Sequence, residues 1–122
     1  MNEVTDEQIE SFHKNGFLVM KGFYDQNEIN EIHGWVYDYA NRKSNEWVAG
    51  KEMAYYETSK NDGTRILSRI ENFLEHHEGF KNLTNSKKLM NCVESLLGNK
   101  AVIFKEKINL NLEYDFNYLA IS

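Results

Sequence analysis

An α+β fold is predicted by three features of the chain taken together. Two capping boxes near the N-terminus each open an amphipathic helix, a further capped helix closes at Gly98, and residues 107–114 alternate strictly between apolar and polar side chains. In that alternation Ile108, Leu110, Leu112 and Tyr114 share one side and Lys107, Asn109, Asn111 and Glu113 the other, as in a two-faced strand. A strand so near the end of a chain normally completes a sheet, yet few earlier segments read as strands. Residues 1–122 are therefore expected to form a single incomplete domain, the front part of something larger.

The elements follow in order. Thr5-Asp6-Glu7-Gln8 is the first capping box, and its helix should run to about Lys14, with Ile9 and Phe12 on the apolar side and Gly16 as a left-handed stop. Phe17-Leu18-Val19-Met20 reads as a short buried strand. The second box, Asp25-Gln26-Asn27-Glu28, opens the best helix, with Ile29, Ile32, Val36, Tyr39 and Ala40 at three- and four-residue spacing as far as about Arg42. Residues 43–63 are weakly patterned and should be irregular with one short strand, ending in the turn signal Asp62-Gly63. Thr64 to Asn72, through Ile66, Leu67 and Ile70, fits a helix or a strand. Asn85-Ser86 caps a helix whose stripe is Leu89, Met90, Val93, Leu96 and Leu97. From Ala101 the chain should run as one long strand to Tyr114. No repeat, linker or low-complexity segment marks an internal boundary.

Composition bounds the function. With 41% hydrophobic and 13% aromatic residues, the chain can build a modest core. Its net charge is −5, and the 14 Lys and Arg residues are scattered among 19 acids, which argues against nucleic-acid binding. No run approaches the ~18 to 20 apolar residues of a membrane span. The acidic start lacks the basic and apolar regions of a secretory signal, so a cytoplasmic protein is expected. Cys92 is the only cysteine, which rules out an internal disulfide, and its place in an apolar stripe makes it a structural thiol. The chain contains no proline.

The candidate chemistry lies in the histidines and in the last strand. His13 and His33 sit on predicted helices without a partner at ligand spacing. His76-x-Glu78 has the spacing of one histidine and carboxylate pair of a non-haem iron site, but a third ligand is missing, and a polar turn before Gly79-Phe80 accounts for His76-His77-Glu78 better. Lys105, Lys107, Asn109 and Asn111 line one side of the strand. Such a row can hold a dicarboxylate, although pattern alone fits the solvated side of an amphipathic strand better. Trp47, Tyr55 and Tyr56 would line a pocket or cover a small core.

The segment Arg69 to Phe80, then Leu96-Leu97-Gly98, then Phe104-Lys105-Glu106-Lys107-Ile108-Asn109, resembles the bacterial branch of the phytanoyl-CoA dioxygenase family. Gln8-x-x-x-Phe12-x-x-x-Gly16-Phe17 through Phe23 is similar to that family's opening helix and first strand. The resemblance implies the N-terminal helices and first strands of a double-stranded β-helix (jelly-roll) fold, and an Fe(II)- and 2-oxoglutarate-dependent hydroxylase acting on a small or lipid-like substrate. It also implies that Lys107 and Asn109 are cosubstrate-pocket residues. Asn111 departs from the family, where many relatives carry Lys.

In the family a Pro-Gly turn and a His-x-Asp follow this block, with a second His and an Arg further on. Here the Pro-Gly is absent and the first iron-binding His would fall at about Ile121. The expectation is a truncation, or a frameshift just after Leu112, leaving no catalytic residue and no metal ligand, so that this chain alone binds neither Fe(II) nor, to any useful extent, 2-oxoglutarate. The alternatives are a small interaction module, and one half of a split enzyme. Either way the strand over 101–114 is expected to pair with a second copy or with a complementary chain.

Overall fold

A computed structural model describes residues 3–110 and 118–121, the last four as backbone. The elements are α1 (Asp6–Asn15), β1 (Leu18–Lys21), α2 (Gln26–Ala40), β2 (Met53–Thr58), β3 (Arg65–Glu71), α3 (Glu78–Thr84), α4 (Lys87–Leu97), β4 (Lys107–Asn109) and β5 (Tyr118–Ile121), with single 3₁₀ turns at Ser44–Glu46 and Leu74–His76. The fold class is α+β, as the sequence predicts. Chain contacts divide these elements between two compact units.

The first unit comprises Met1–Glu31, Asn82–Val102 and Asp115–Ser122. Its helix starts are those the sequence specifies. Thr5 Oγ1 accepts from the Gln8 N–H at 3.1 Å while Gln8 Oε1 accepts from the Thr5 N–H at 2.9 Å. Asp25 and Glu28 make the same reciprocal pair at 2.8 and 2.9 Å. Each box satisfies two N–H groups that a helix start leaves without partners. Leu18 and Met20 of β1 are buried, and around them gather Phe23, Cys92 and Leu96. β1 pairs antiparallel with β5, from Leu18 opposite Ile121 to Lys21 opposite Tyr118. The sequence reading assigned no element to that tail.

The second unit comprises Ile32–Lys81 and Ile103–Tyr114, and its sheet has the order β2-β3-β4, antiparallel throughout. The register explains why residues 64–72 fit two periodicities. Tyr55 lies opposite Arg69 and Tyr56 opposite Leu67, so Ser68 is an extra residue on β3, a bulge. Its hydroxyl donates to the Tyr55 carbonyl at 3.1 Å and its own carbonyl accepts from the Leu110 N–H at 2.9 Å. The inserted residue puts Leu67 and Ile70, three apart, on the same side, and both are buried. A bulged strand thereby acquires the apolar spacing of a helix.

The long strand expected over 101–114 is only Lys107–Asn109 among the described residues, and Asn111 to Tyr114 lie outside them. The ladder on β3 available to β4 ends at Glu71, because Asn72 takes a left-handed conformation (φ 57°) that turns the chain away. Ahead of β4 the segment is held through side chains instead of a strand ladder: the Ala101 N–H donates to Glu94 at 2.9 Å, and the Glu106 carboxylate accepts from the Leu74 N–H at 3.4 Å.

His76-His77-Glu78 is likewise more than a polar turn. His77 caps α3, its Nδ1 accepting from the Phe80 N–H at 3.1 Å, and its ring lies among Trp35, Tyr39 and Phe80 at centroid distances of 5.3, 5.4 and 4.7 Å. Tyr39 is the centre of this aromatic cluster, with Phe73 and Phe80 each 6.3 Å away. Gly79 lets the indole of Trp35 approach the backbone. A Cβ there would stand 2.5 Å from Cζ2 of Trp35.

Two predictions come from this packing. Gly79→Ala should destabilise the chain by about 1 to 3 kcal/mol, the usual cost of overpacking, and Trp35→Leu in the same chain should recover part of that loss in urea unfolding. Burial, outweighing the pull of Glu52, holds the His77 pKa below its ordinary value. A base depressed in the folded state binds its proton more readily when unfolded, so its stabilisation is complete above about pH 6.5 and falls as pH drops below that value. Urea midpoints should therefore decline from pH 7 to 5, and His77→Asn, which caps without titrating, should flatten that decline. An unchanged slope in the variant would exclude His77 as the cause.

Candidate functional site

Of the residues singled out in the sequence, Lys107, Asn109 and Tyr55 lie on one side of the β2-β3-β4 sheet. Lys107 pairs with Glu71 and Asn109 with Arg69 across β4 and β3, and Arg69 pairs in turn with Tyr55 on β2. Alternation sends Ile70 and Ile108 to the other side, where Ile70 is fully buried. Directly opposed residues of an antiparallel pair stand ~5 Å apart at Cβ, so Arg69, Glu71, Lys107 and Asn109 form one compact polar patch. Lys107 and Asn109 are exposed. Asn111, the fourth member of the row, lies outside the described residues.

Arg69 is the best anchored of the four. Its guanidinium carbon sits 4.3 Å from the centroid of the Tyr55 ring, and its Nε lies 2.8 Å from Glu71 Oε2. The short contact is one of charge more than of direction: Nε is buried and no acceptor lies along its N–H. The patch thus presents two cations, one amide and one carboxylate, a donor-rich set suited to an oxyanion. Sequence reading missed Arg69 and Glu71 as members of the site. Their signal was the Arg69-Ile70-Glu71 alternation, hidden by the helix-like spacing that the bulge creates.

A second polar group lies under the aromatic cluster. Glu52, 9% exposed, accepts from the Tyr39 hydroxyl at 2.9 Å and pairs with Arg42 at 3.4 Å. Burial opposes its charge, but its own backbone N–H, the Tyr39 hydroxyl, Arg42 and His76 together prevail and hold its pKa below the usual value. Burial and then the bond to Glu52 push Tyr39 well above the ordinary tyrosine range. The Arg42 guanidinium lies over the rings of Trp47 and Tyr39 at 4.6 and 5.0 Å. Trp47 Nε1 donates to the Tyr56 hydroxyl at 2.7 Å. Trp47 and Tyr56 thus cover a core, while Tyr55 supports the sheet patch.

The histidines do not converge. His13 lies on α1, His33 on α2, His76 ends a 3₁₀ turn beside Glu52, and His77 is committed to capping α3. Among the described residues no three His, Cys, Asp or Glu side chains come together to hold a metal ion. Cys92 is buried, its Sγ 3.4 Å from Met20 Sδ, and burial raises its pKa, so it behaves as an apolar side chain. Among the described residues no helix is long and apolar enough to cross a membrane.

No family model matches the chain. It is 38% identical over 111 residues to a 2-aminoethylphosphonate dioxygenase from an uncultured bacterium, a match that takes in 89% of this chain and 40% of that protein. It is 29% identical over 106 residues to a methylphosphonate hydroxylase from Gimesia maris (87% of this chain, 39% of that protein). It is 30% identical over 115 residues to the dioxygenase lolE1 from Epichloe uncinata (89% and 41%). The chain spans about two fifths of the length of these curated relatives. Their names support a relationship to dioxygenases, without singling out phytanoyl-CoA dioxygenase within them.

Proposed function

We propose that the chain is the N-terminal portion of an Fe(II)- and 2-oxoglutarate-dependent oxygenase of the phytanoyl-CoA dioxygenase kind, which hydroxylates a small substrate. The observation that carries this reading is similarity to named dioxygenases and hydroxylases over nearly nine tenths of the chain. The donor-rich patch supports it, since Lys107 and Asn109 on one side of a strand suit the carboxylates of oxoglutarate. Iron, when bound, would supply the oxidising chemistry. The described residues do not fit the role of its ligands, and their part is confined to binding. The names of two relatives make a small phosphonate the substrate class to try first.

The test is a chimera. Residues 1–110 joined to the part of the 2-aminoethylphosphonate dioxygenase that the chain does not match should form succinate from oxoglutarate in an iron-dependent way, and Lys107→Ala should raise the KM for oxoglutarate about tenfold. A folded, iron-loaded chimera without turnover would sink the reading. The chain alone should form no succinate and should bind oxoglutarate no better than millimolar, about −4 kcal/mol. Iron-dependent succinate formation by the chain alone, lost in His76→Ala, would contradict this.

A specific observation favours pairing with a second copy. Val102 and Phe104, just ahead of β4, are 90% and 97% exposed. The chain should sediment as a dimer or larger species at micromolar concentration, and Phe104→Ser should shift it toward monomer. A monomeric parent chain would exclude this association.

A further inference from the structure

The sheet patch holds an arginine that its neighbours hold only in part. Arg69 is fixed from one side by the Tyr55 ring, 4.3 Å away, and its Nε, though buried and 2.8 Å from the Glu71 carboxylate, has no acceptor along its N–H. A guanidinium bonds best to an oxyanion lying in its own plane, where two parallel N–H groups engage two oxygens. Glu71, two residues away on the same strand, neutralises Arg69 without meeting that geometry. Asn109 lies directly opposite Arg69, and Lys107 directly opposite Glu71. Charge, stacking and register therefore converge on one position, beside Arg69, where an external oxyanion would complete what Glu71 leaves unmade.

We infer that Arg69 receives the phosphonate group of the substrate, with Glu71 holding the guanidinium in the empty state and giving way when the ligand arrives. This inference rests on the oxygenase reading above and deepens it: Lys107 and Asn109 belong to the cosubstrate, Arg69 to the substrate anion. A tetrahedral phosphonate, with three oxygens, can engage the guanidinium in its plane through two of them. No bond is made or broken in this step. Glu71 acts as an internal competitor, and its removal should strengthen simple anions.

The experiment is titration of the chain with methylphosphonate, followed by backbone amide shifts at low ionic strength. Arg69→Gln should weaken binding about tenfold, the scale of one charge-assisted hydrogen bond, and Arg69→Lys should fall between, keeping charge but losing the fork. Glu71→Gln should tighten binding by roughly three- to tenfold. Lys60→Gln, in the β2-β3 turn, should change nothing. An oxoglutarate series separates the two readings: if Lys107→Ala leaves oxoglutarate binding unaltered while Arg69→Gln still weakens methylphosphonate, the cosubstrate assignment falls and Arg69 stands. The inference is overturned if Glu71→Gln fails to tighten binding, if Lys60→Gln weakens it as much as Arg69→Gln does, or if neither the parent chain nor Glu71→Gln responds to methylphosphonate. It is also overturned if Arg69→Gln weakens oxoglutarate and spares methylphosphonate, which would give the arginine to a carboxylate.

Discussion

One inserted residue governs the candidate site. Ser68 has no counterpart on β2, and the bulge it makes decides which side chains of β3 face the core and which face the patch. Leu67 and Ile70 go inward together. Arg69 and Glu71 then stand beside Tyr55, Lys107 and Asn109. In a regular strand Leu67, Arg69 and Glu71 would share a side, and either the leucine would be lifted from the core or the charges driven into it. Burying an unpaired charge costs far more than exposing one leucine, so the bulge is the arrangement that satisfies both. Two bonds hold it, the Ser68 hydroxyl on Tyr55 and the Leu110 N–H on the Ser68 carbonyl, and the second also positions β4.

The aromatic cluster of the same unit solves a related problem. Tyr39 is almost wholly enclosed, and an enclosed hydroxyl without an acceptor would cost about 1 to 3 kcal/mol. Glu52 provides the acceptor and is itself kept charged by that hydroxyl, by its own N–H and by Arg42. Such a network is worth having only when every member is satisfied, because removing one leaves a buried charge or hydroxyl exposed to nothing. His77 obeys the same logic in the neutral form. Its Nδ1 must keep a lone pair for the Phe80 N–H, and the surrounding rings favour the uncharged imidazole.

How much of this was legible depended on how local the cause was. The helix starts were read correctly because a capping box lies within four residues and carries its whole mechanism in those side chains. The start of β4 was not, because alternation describes a strand's sides and says nothing of how much partner is available; on the Ala101 side of Lys107 that partner ends at Asn72, 35 residues earlier than Lys107. Helix α3 was missed because its cap is a histidine, a residue that reads as a ligand candidate before it reads as an N-cap. Lys107 and Asn109 were named from the sequence, and the structure sets both on one side of the sheet. Arg69 and Glu71 were not, since only strand pairing brings residues so far apart in the chain into one patch.

The division between binding and redox chemistry then follows from where donors and ligands can be placed. An oxyanion patch needs cations and amides on neighbouring strands, which a three-stranded antiparallel sheet provides by register alone. A metal face needs three ligands converging on one point, which demands elements meeting from several directions. The described histidines are spread over two helices, a 3₁₀ turn and a cap, each held by its own element's geometry. His77 in particular cannot serve a metal through Nδ1 without surrendering the start of α3. Under the proposed reading, the role left to these described residues is recognition, through a fixed arginine, a lysine and an amide at spacings set by a bulged strand.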